Sequence, residues 1–277
     1  MTLVSRPVLQ YHGGKWRLAP WIISHFPKHS IYVEPFGGAA SVLLRKRPVA
    51  QEVYNDKDGE VVNFFRVLRD QQLAAKLTNL LDFTPFSRVE YDLAHSPSED
   101  VVEQARRTLI KSFMGYGSNA ISAQYKTGFR HRRYGSGPPV EWANYPAHVQ
   151  SFVERLKNVS IENIDAATIM QTYDTPETLF YIDPPYVMET RGTHGASYKF
   201  EMDNAAHEDL ARLVRSLQGK AVVSGYDCPL YHRFYAGWHC ERINALADGA
   251  AKRTECLWIS PNAKRSMGLQ MSFLEVV

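Results

Sequence analysis

The feature that most constrains this chain is an alternation: apolar runs of strand length take turns with segments of helical periodicity over most of its length. That pattern specifies an α/β fold with a largely parallel sheet, because each crossover helix returns the chain to the same sheet in the same direction. The runs predict strands at Ser30–Glu34, Glu52–Asn55, Val159–Ile164, Thr178–Ile182, Ala221–Gly225, Cys240–Ala245 and Glu255–Ile259. Helices are expected at Arg17–Phe26, Ala39–Arg45, Glu60–Leu68, Ala166–Tyr173 and His207–Leu217. Between about Arg69 and Gln150 the alternation stops. Val101, Ala105, Leu109 and Phe113 recur there every fourth residue, which predicts an amphipathic helix over Asp100–Phe113 with Arg106, Arg107 and Lys111 off the apolar stripe. A polar stretch rich in Gly and Arg follows it, GYGSNAISAQYKTGFRHRRYGSGPP. The expected organisation is one α/β domain made of residues 1–68 and 151–277, interrupted by a mostly helical, more basic insertion over residues 69–150.

Composition narrows the class. With 277 residues, 44% of them hydrophobic and 22% charged, the chain is long enough for a sizeable core. No apolar run approaches the length of a membrane span, and the N-terminal segment lacks the apolar stretch of a secretory signal, so a cytoplasmic protein with no membrane partner is expected. Cys228, Cys240 and Cys256 are odd in number and lack C-x-x-C spacing, which argues against a disulfide framework or a cysteine zinc site. The excess of 32 basic over 29 acidic side chains permits a polyanionic partner without requiring one.

Chemistry concentrates at strand ends. LFYIDPPYVMET drives a buried strand into an acid and two prolines; proline gives no N–H to a ladder and holds the preceding residue extended, so Asp183-Pro184-Pro185-Tyr186 is a stiff strand exit. YVEPFGGAASVLL places Gly37 and Gly38 between a strand and a helix, where a tight turn lets a ligand approach the backbone. Asp56 ends the next strand, the position from which an acid accepts ribose hydroxyls in nucleotide-binding α/β folds. Its other reading is a loop acid or cap for Glu60–Leu68. Together the two features favour an adenosine-containing ligand. QYHGGKWR has no G-x-x-x-x-G-K-[ST] spacing, which disfavours a triphosphate loop.

Tyr11-His-Gly-Gly-Lys15, Glu34-Pro-Phe-Gly-Gly38, Asp56 and Asp183-Pro-Pro-Tyr186, in that order, resemble the DNA N6-adenine methyltransferases of the alpha arrangement, which include Dam-type and many phage-encoded enzymes. SIENIDA at Ser160–Ala166 is similar to the third-strand motif of that family, and the resemblance spans nearly the whole chain. It implies a Rossmann-like methyltransferase sheet, S-adenosyl-L-methionine as cofactor, double-stranded DNA as partner without a stable protein partner, and a bacterial or phage-encoded enzyme. It also implies cofactor contacts from Tyr11, Lys15, Glu34, Phe36, Gly37, Gly38, Asp56, Ile164, Asp165 and Asp183, with catalysis by Asp183, Pro184 and Tyr186 and no metal. Ala40 departs from the pattern, since many relatives carry a second glycine there.

The amine of adenine is a poor nucleophile because its lone pair is delocalised into the ring. A carboxylate from Asp183 and the Pro184 carbonyl can accept its two N–H bonds and localise that pair, while Tyr186 stacks on a base taken out of the duplex. Within the insertion, which the resemblance makes the site of target recognition, Asn119, Lys126, Arg130, Arg132, Arg133 and Tyr134 are the expected DNA contacts, a mix of cations and aromatics suited to phosphates and bases. Ser224, Gly225 and Tyr226 line the adenine pocket by analogy or simply pack a strand end. His194 and His207 read as surface or structural histidines, and Arg45–Arg47 as cations at a helix C-terminus. Competing readings are amino-methylation of N4-cytosine or a protein glutamine, where Ser-Pro-Pro-Tyr or Asn-Pro-Pro-Tyr is more usual, methylation of RNA adenine, and a DNA-binding module without activity. Cysteine catalysis on C5 of cytosine is disfavoured, because YDCPLY reverses the Pro-Cys order.

Overall fold

The computed structural model describes residues 4–122, 125–131, 137–191, 198–246 and 252–274. All seven expected strands form: β1 Ile31–Glu34, β2 Gln51–Asn55, β3 Val159–Glu162, β4 Thr178–Ile182, β5 Lys220–Tyr226, β6 His239–Leu246 and β7 Lys252–Ile259. They make one sheet of order β3-β2-β1-β4-β5-β7-β6. The first five run parallel, and β7 is antiparallel to both β5 and β6. The sheet is therefore mixed but mostly parallel.

Helices cover both faces, which explains why TLFYI of β4 is apolar without alternation: every residue in it is buried. Val33, Val53, Phe180 and Ile182 point to one face and pack with Leu210, Ala211 and Val214 of the helix Asn204–Ser216. Tyr32, Tyr54, Leu179 and Tyr181 point to the other. There the helix Gly59–Arg69 meets Gln71–Asp82, Val101–Met114 and Val149–Leu156. Leu109, Ile110 and Phe113 from residues 69–150 thus share one continuous core with β1, β2 and β4. Caps fix the starts of these helices: Asp58 accepts from the Glu60 amide, Asp70 from Gln72 and Leu73, and Asp100 from Val102 and Glu103.

A buried ionic cluster ties the end of this helical layer to the sheet. Glu52 of β2 accepts from Lys46 at 2.7 Å and from Arg155 at 2.6 Å, and Arg155 also donates to the Leu43 carbonyl. Removing one partner would strand the others in a dry interior, at a cost of about 3–5 kcal/mol.

The topology also fixes where a ligand goes. β1 is flanked by β2 on one side and β4 on the other, so the chain leaves the carboxyl ends of β1 and β4 in opposite directions and opens a crevice between them.

Candidate active site

The carboxyl ends of β1, β2 and β4, with the turn after β3, surround one cavity of about 530 Å³. Tyr11, Lys15, Glu34, Phe36, Gly37, Gly38, Asp56, Ile164, Asp165 and Asp183, separated by as many as 172 positions (183 − 11), all line it. Asn55 stitches the strand exits together: its amide donates to the carbonyls of Pro35 and Ile164, and its oxygen accepts from the Ile164 amide.

The glycine loop is set by sterics. A Cβ on Gly37 would fall 2.2 Å from the Tyr54 ring, and Gly38 has φ of +47°. Ala40 also sits in the left-handed region, with φ of 51°, and caps the helix Ser41–Arg45. An L-residue there carries roughly 1 kcal/mol of strain, which accounts for the preference for glycine at such a position. Asp56 is what holds the loop. Its Oδ2 accepts the Gly38 amide and its Oδ1 the Asp58 amide, both at 2.8 Å. The helix cap is Asp58, not Asp56, which leaves the Asp56 carboxylate to the loop and the cavity wall. Burial pushes its carboxyl up to about 6, against hydrogen bonds from the Asp58, Gly38 and Lys57 amides. Asp165 both lines the cavity and caps the helix Ala166–Thr172.

Asp183 closes the far side. Its Oδ2 lies 3.1 Å from Lys15 Nζ, which also donates to the Gly13 carbonyl at 2.7 Å. Among the described residues its Oδ1 is buried with no hydrogen-bond partner. Burial raises the Asp183 carboxyl above the usual carboxylate range, with Lys15 opposing the shift. For Lys15 itself burial disfavours the charge, but Asp183 and Glu255 outweigh it and hold the ammonium protonated. Glu34, with Tyr32 donating to it at 2.6 Å, is pushed up to about 8 by burial. Pro184 is buried, and Tyr186 is buried beside Lys15, whose Nζ stands 4.6 Å from the ring centroid. The Tyr186 hydroxyl donates to Glu255 at 2.7 Å, and Tyr226 meets its ring edge-on at 4.7 Å.

Of the expected DNA contacts, the described ones, Asn119, Lys126 and Arg130, do not line this cavity. Lys126 is exposed and paired with Asp92 at 2.7 Å; Arg130 is paired with Glu141 at 3.0 Å and donates to Gln10. Asn119 donates to the Tyr125 hydroxyl. Arg132, Arg133 and Tyr134 lie outside the described residues, as does His194. The two regions touch through His12, a cavity residue whose Nδ1 is 3.4 Å from Ser118 Oγ and whose ring meets Tyr198. His207 is buried against the Tyr231 hydroxyl, and Ser224 shares a buried hydrogen bond with Tyr181; both are packing residues.

Sequence reasoning missed Asn55, Ser41, Glu255 and the strap Tyr198–Met202 that covers the cavity. Arg191 holds this strap, bidentate on Glu201 at 2.9 and 2.7 Å while donating to the Tyr186 carbonyl. An acid inside the apolar strand ECLWI was the one signal for Glu255; the strap carries no motif.

Comparison with known proteins points the same way. The family described as D12 class N6 adenine-specific DNA methyltransferase matches residues 11–248. The DNA adenine methylase of Salmonella typhimurium is 24% identical over 241 residues, covering 83% of this chain and 84% of its own. That of Escherichia coli (strain K12) is 23% identical over 240 residues, with 83% and 84% covered, and that of Haemophilus influenzae is 24% identical over 268, with 87% and 86% covered. The seven-stranded sheet and its helical layer are consistent with a methyltransferase fold.

Proposed function

Because the chain belongs to the D12 class N6 adenine-specific DNA methyltransferases, enzymes dependent on S-adenosylmethionine, we propose a residue-level account of how it methylates adenine. One observation carries the account: Asp183, whose Oδ1 is buried and unpartnered among the described residues, lines the same cavity as the glycine loop held by Asp56.

The residues present fit the cofactor. The cavity volume is that of a nucleotide-sized ligand. Asp56 would accept the ribose hydroxyls, the backbone of Gly37 and Gly38 would admit close approach, and Glu34 and the Tyr11–Lys15 turn would hold the aminoacyl end; all of them line the cavity. Bound there, S-adenosylmethionine supplies an electrophilic methyl group on its sulfonium.

The substrate is adenine in double-stranded DNA, extruded from the stack to reach a pocket this enclosed. Asp183 Oδ1 accepts one N6–H and the Pro184 carbonyl the other, which localises the lone pair as positive charge grows on nitrogen. Tyr186 offers its ring to the base. Lys15 pairs with Oδ2 and opposes the burial that raises the Asp183 carboxyl. The raised affinity of Asp183 for a proton suits it to take the one that N6 sheds after transfer. The insertion supplies cations such as Lys126 to the phosphates.

Asp183→Asn tests the assignment, since it preserves shape while replacing an acceptor oxygen with a donor. Methyl incorporation into duplex DNA should fall at least about 100-fold at saturating cofactor. A folded variant that methylates near the wild-type rate would overturn the mechanism.

A further inference from the structure

Glu255 sits within β7, opposite Tyr226 of β5 and Ile243 of β6. Only 8% of its surface is exposed. A carboxylate at that depth loses its hydration, and a strand of this sheet would be more simply filled by an apolar side chain. What Glu255 gains is one partner inside the motif after β4: its Oε2 accepts the Tyr186 hydroxyl at 2.7 Å. The ring so anchored meets Tyr226 nearly at right angles, 4.7 Å between centroids, and has Lys15 Nζ 4.6 Å from its own centroid. Anchored at the hydroxyl and packed against Tyr226 and Lys15, the ring is held in one orientation. The anchor comes from the antiparallel strand, 69 positions away in sequence, and not from the loop that carries Tyr186.

We propose that Glu255 is a positioning residue for the target base: it clamps Tyr186 through the phenolic hydroxyl, so the aromatic surface that receives adenine is oriented before DNA arrives. The inference rests on the reading of Tyr186 as the stacking surface. Pre-orientation of a group that touches the substrate accelerates the step after binding, so its loss is read in the rate at saturation and not in cofactor affinity.

The test is a double-mutant cycle between Glu255 and Tyr186, read by single-turnover methylation of a duplex carrying the site the enzyme modifies, with cofactor affinity and melting temperature measured in parallel. Glu255→Leu and Tyr186→Phe should each slow the saturated rate about tenfold, the effect of one charge-assisted hydrogen bond, and leave cofactor affinity unchanged. The double variant should be no slower than the slower single, within about threefold, because both remove the same contact. Glu255→Gln keeps an acceptor and should recover most of the rate. 2-Aminopurine at the target position should be brighter in complex with Glu255→Leu than with the wild type, since a loose ring stacks less well. Effects that multiply, or a slow Glu255→Leu beside a fully active Tyr186→Phe, would overturn the clamp. Should Glu255→Leu fail to fold, Glu255→Asp takes its place, as it retracts the carboxylate by one methylene. A fully active Tyr186→Ala would remove the stacking reading and the clamp with it; an inactive Tyr186→Ala beside a fully active Glu255→Leu would remove the clamp alone.

Discussion

If Asp56 holds the cofactor ribose, cofactor affinity must weaken as the pH falls through about 6. Each Asp56 oxygen already accepts a backbone amide at 2.8 Å, so the ribose hydroxyls compete for what remains, and they bind the ionised form better than the acid. Burial, opposed by those amides, pushes the carboxyl up to about 6. The free protein is therefore about nine-tenths ionised at pH 7 and about one-tenth at pH 5. Affinity at pH 5 should be roughly tenfold weaker than its plateau, or about 1.4 kcal/mol. Calorimetric titration with S-adenosylmethionine from pH 5 to pH 9 measures this, with melting curves at each pH to confirm that the protein stays folded. Asp56→Asn is the control. It keeps one carbonyl for the loop amides but cannot ionise, so at pH 7.5 its affinity should drop by about 1.5–3 kcal/mol and its acid slope should vanish. Glu34, pushed up to about 8, adds an inflection at higher pH to both proteins, so the difference between them isolates Asp56. A flat wild-type profile, or the same acid slope in Asp56→Asn, would refute the ribose role.

Two further outcomes follow from the same geometry. Burial raises the Glu34 carboxyl above its unfolded value, so its contribution to stability is full below about pH 4.5 and is lost as the pH rises through about 8. Glu34→Gln should accordingly raise the melting temperature more at pH 8.5 than at pH 5, by roughly 2–4 °C per kcal/mol recovered, and equal shifts at both would contradict it. Lys126 is exposed, and its ion pair with Asp92 is cheap to break. Lys126→Ala should lower the slope of log DNA affinity against log salt by about 0.9 if it neutralises one phosphate; an unchanged slope would exclude that contact.

What was legible in the sequence is what the backbone dictates locally. The central strands β4 and β5 were visible because a sheet covered on both faces demands unbroken apolar runs, and the Asp183-Pro-Pro-Tyr186 exit because proline leaves few alternatives. The glycine loop was visible for the same reason, whereas the division of labour between Asp56 and Asp58 was not: both are acids before a helix, and only the hydrogen bonds separate a loop anchor from a cap. The helix Gln71–Asp82 carried a readable signal, Asp70 as cap and a stripe of Ala74, Leu77 and Leu81, yet it lay where the alternation had stopped. Glu255 and the strap Tyr198–Met202 were hidden because their meaning comes from partners remote in the chain. Arg130 looked like a free cation because nothing in its neighbourhood announces Glu141.

The continuous core beneath residues 69–150 bears on how target specificity can change. Phe113 packs against Trp142 and Tyr145, Trp142 donates to the Thr84 carbonyl and Tyr145 to the Val8 carbonyl, while Lys111 pairs with Glu60. If residues 69–150 recognise the target as proposed, a region rooted in this way cannot be exchanged as a cassette between relatives without repacking the helix Gly59–Arg69 that follows β2. On that reading, new specificities would be accessible mainly through exposed positions such as Lys126, and chimaeras joined at the borders of the insertion should misfold before they misread.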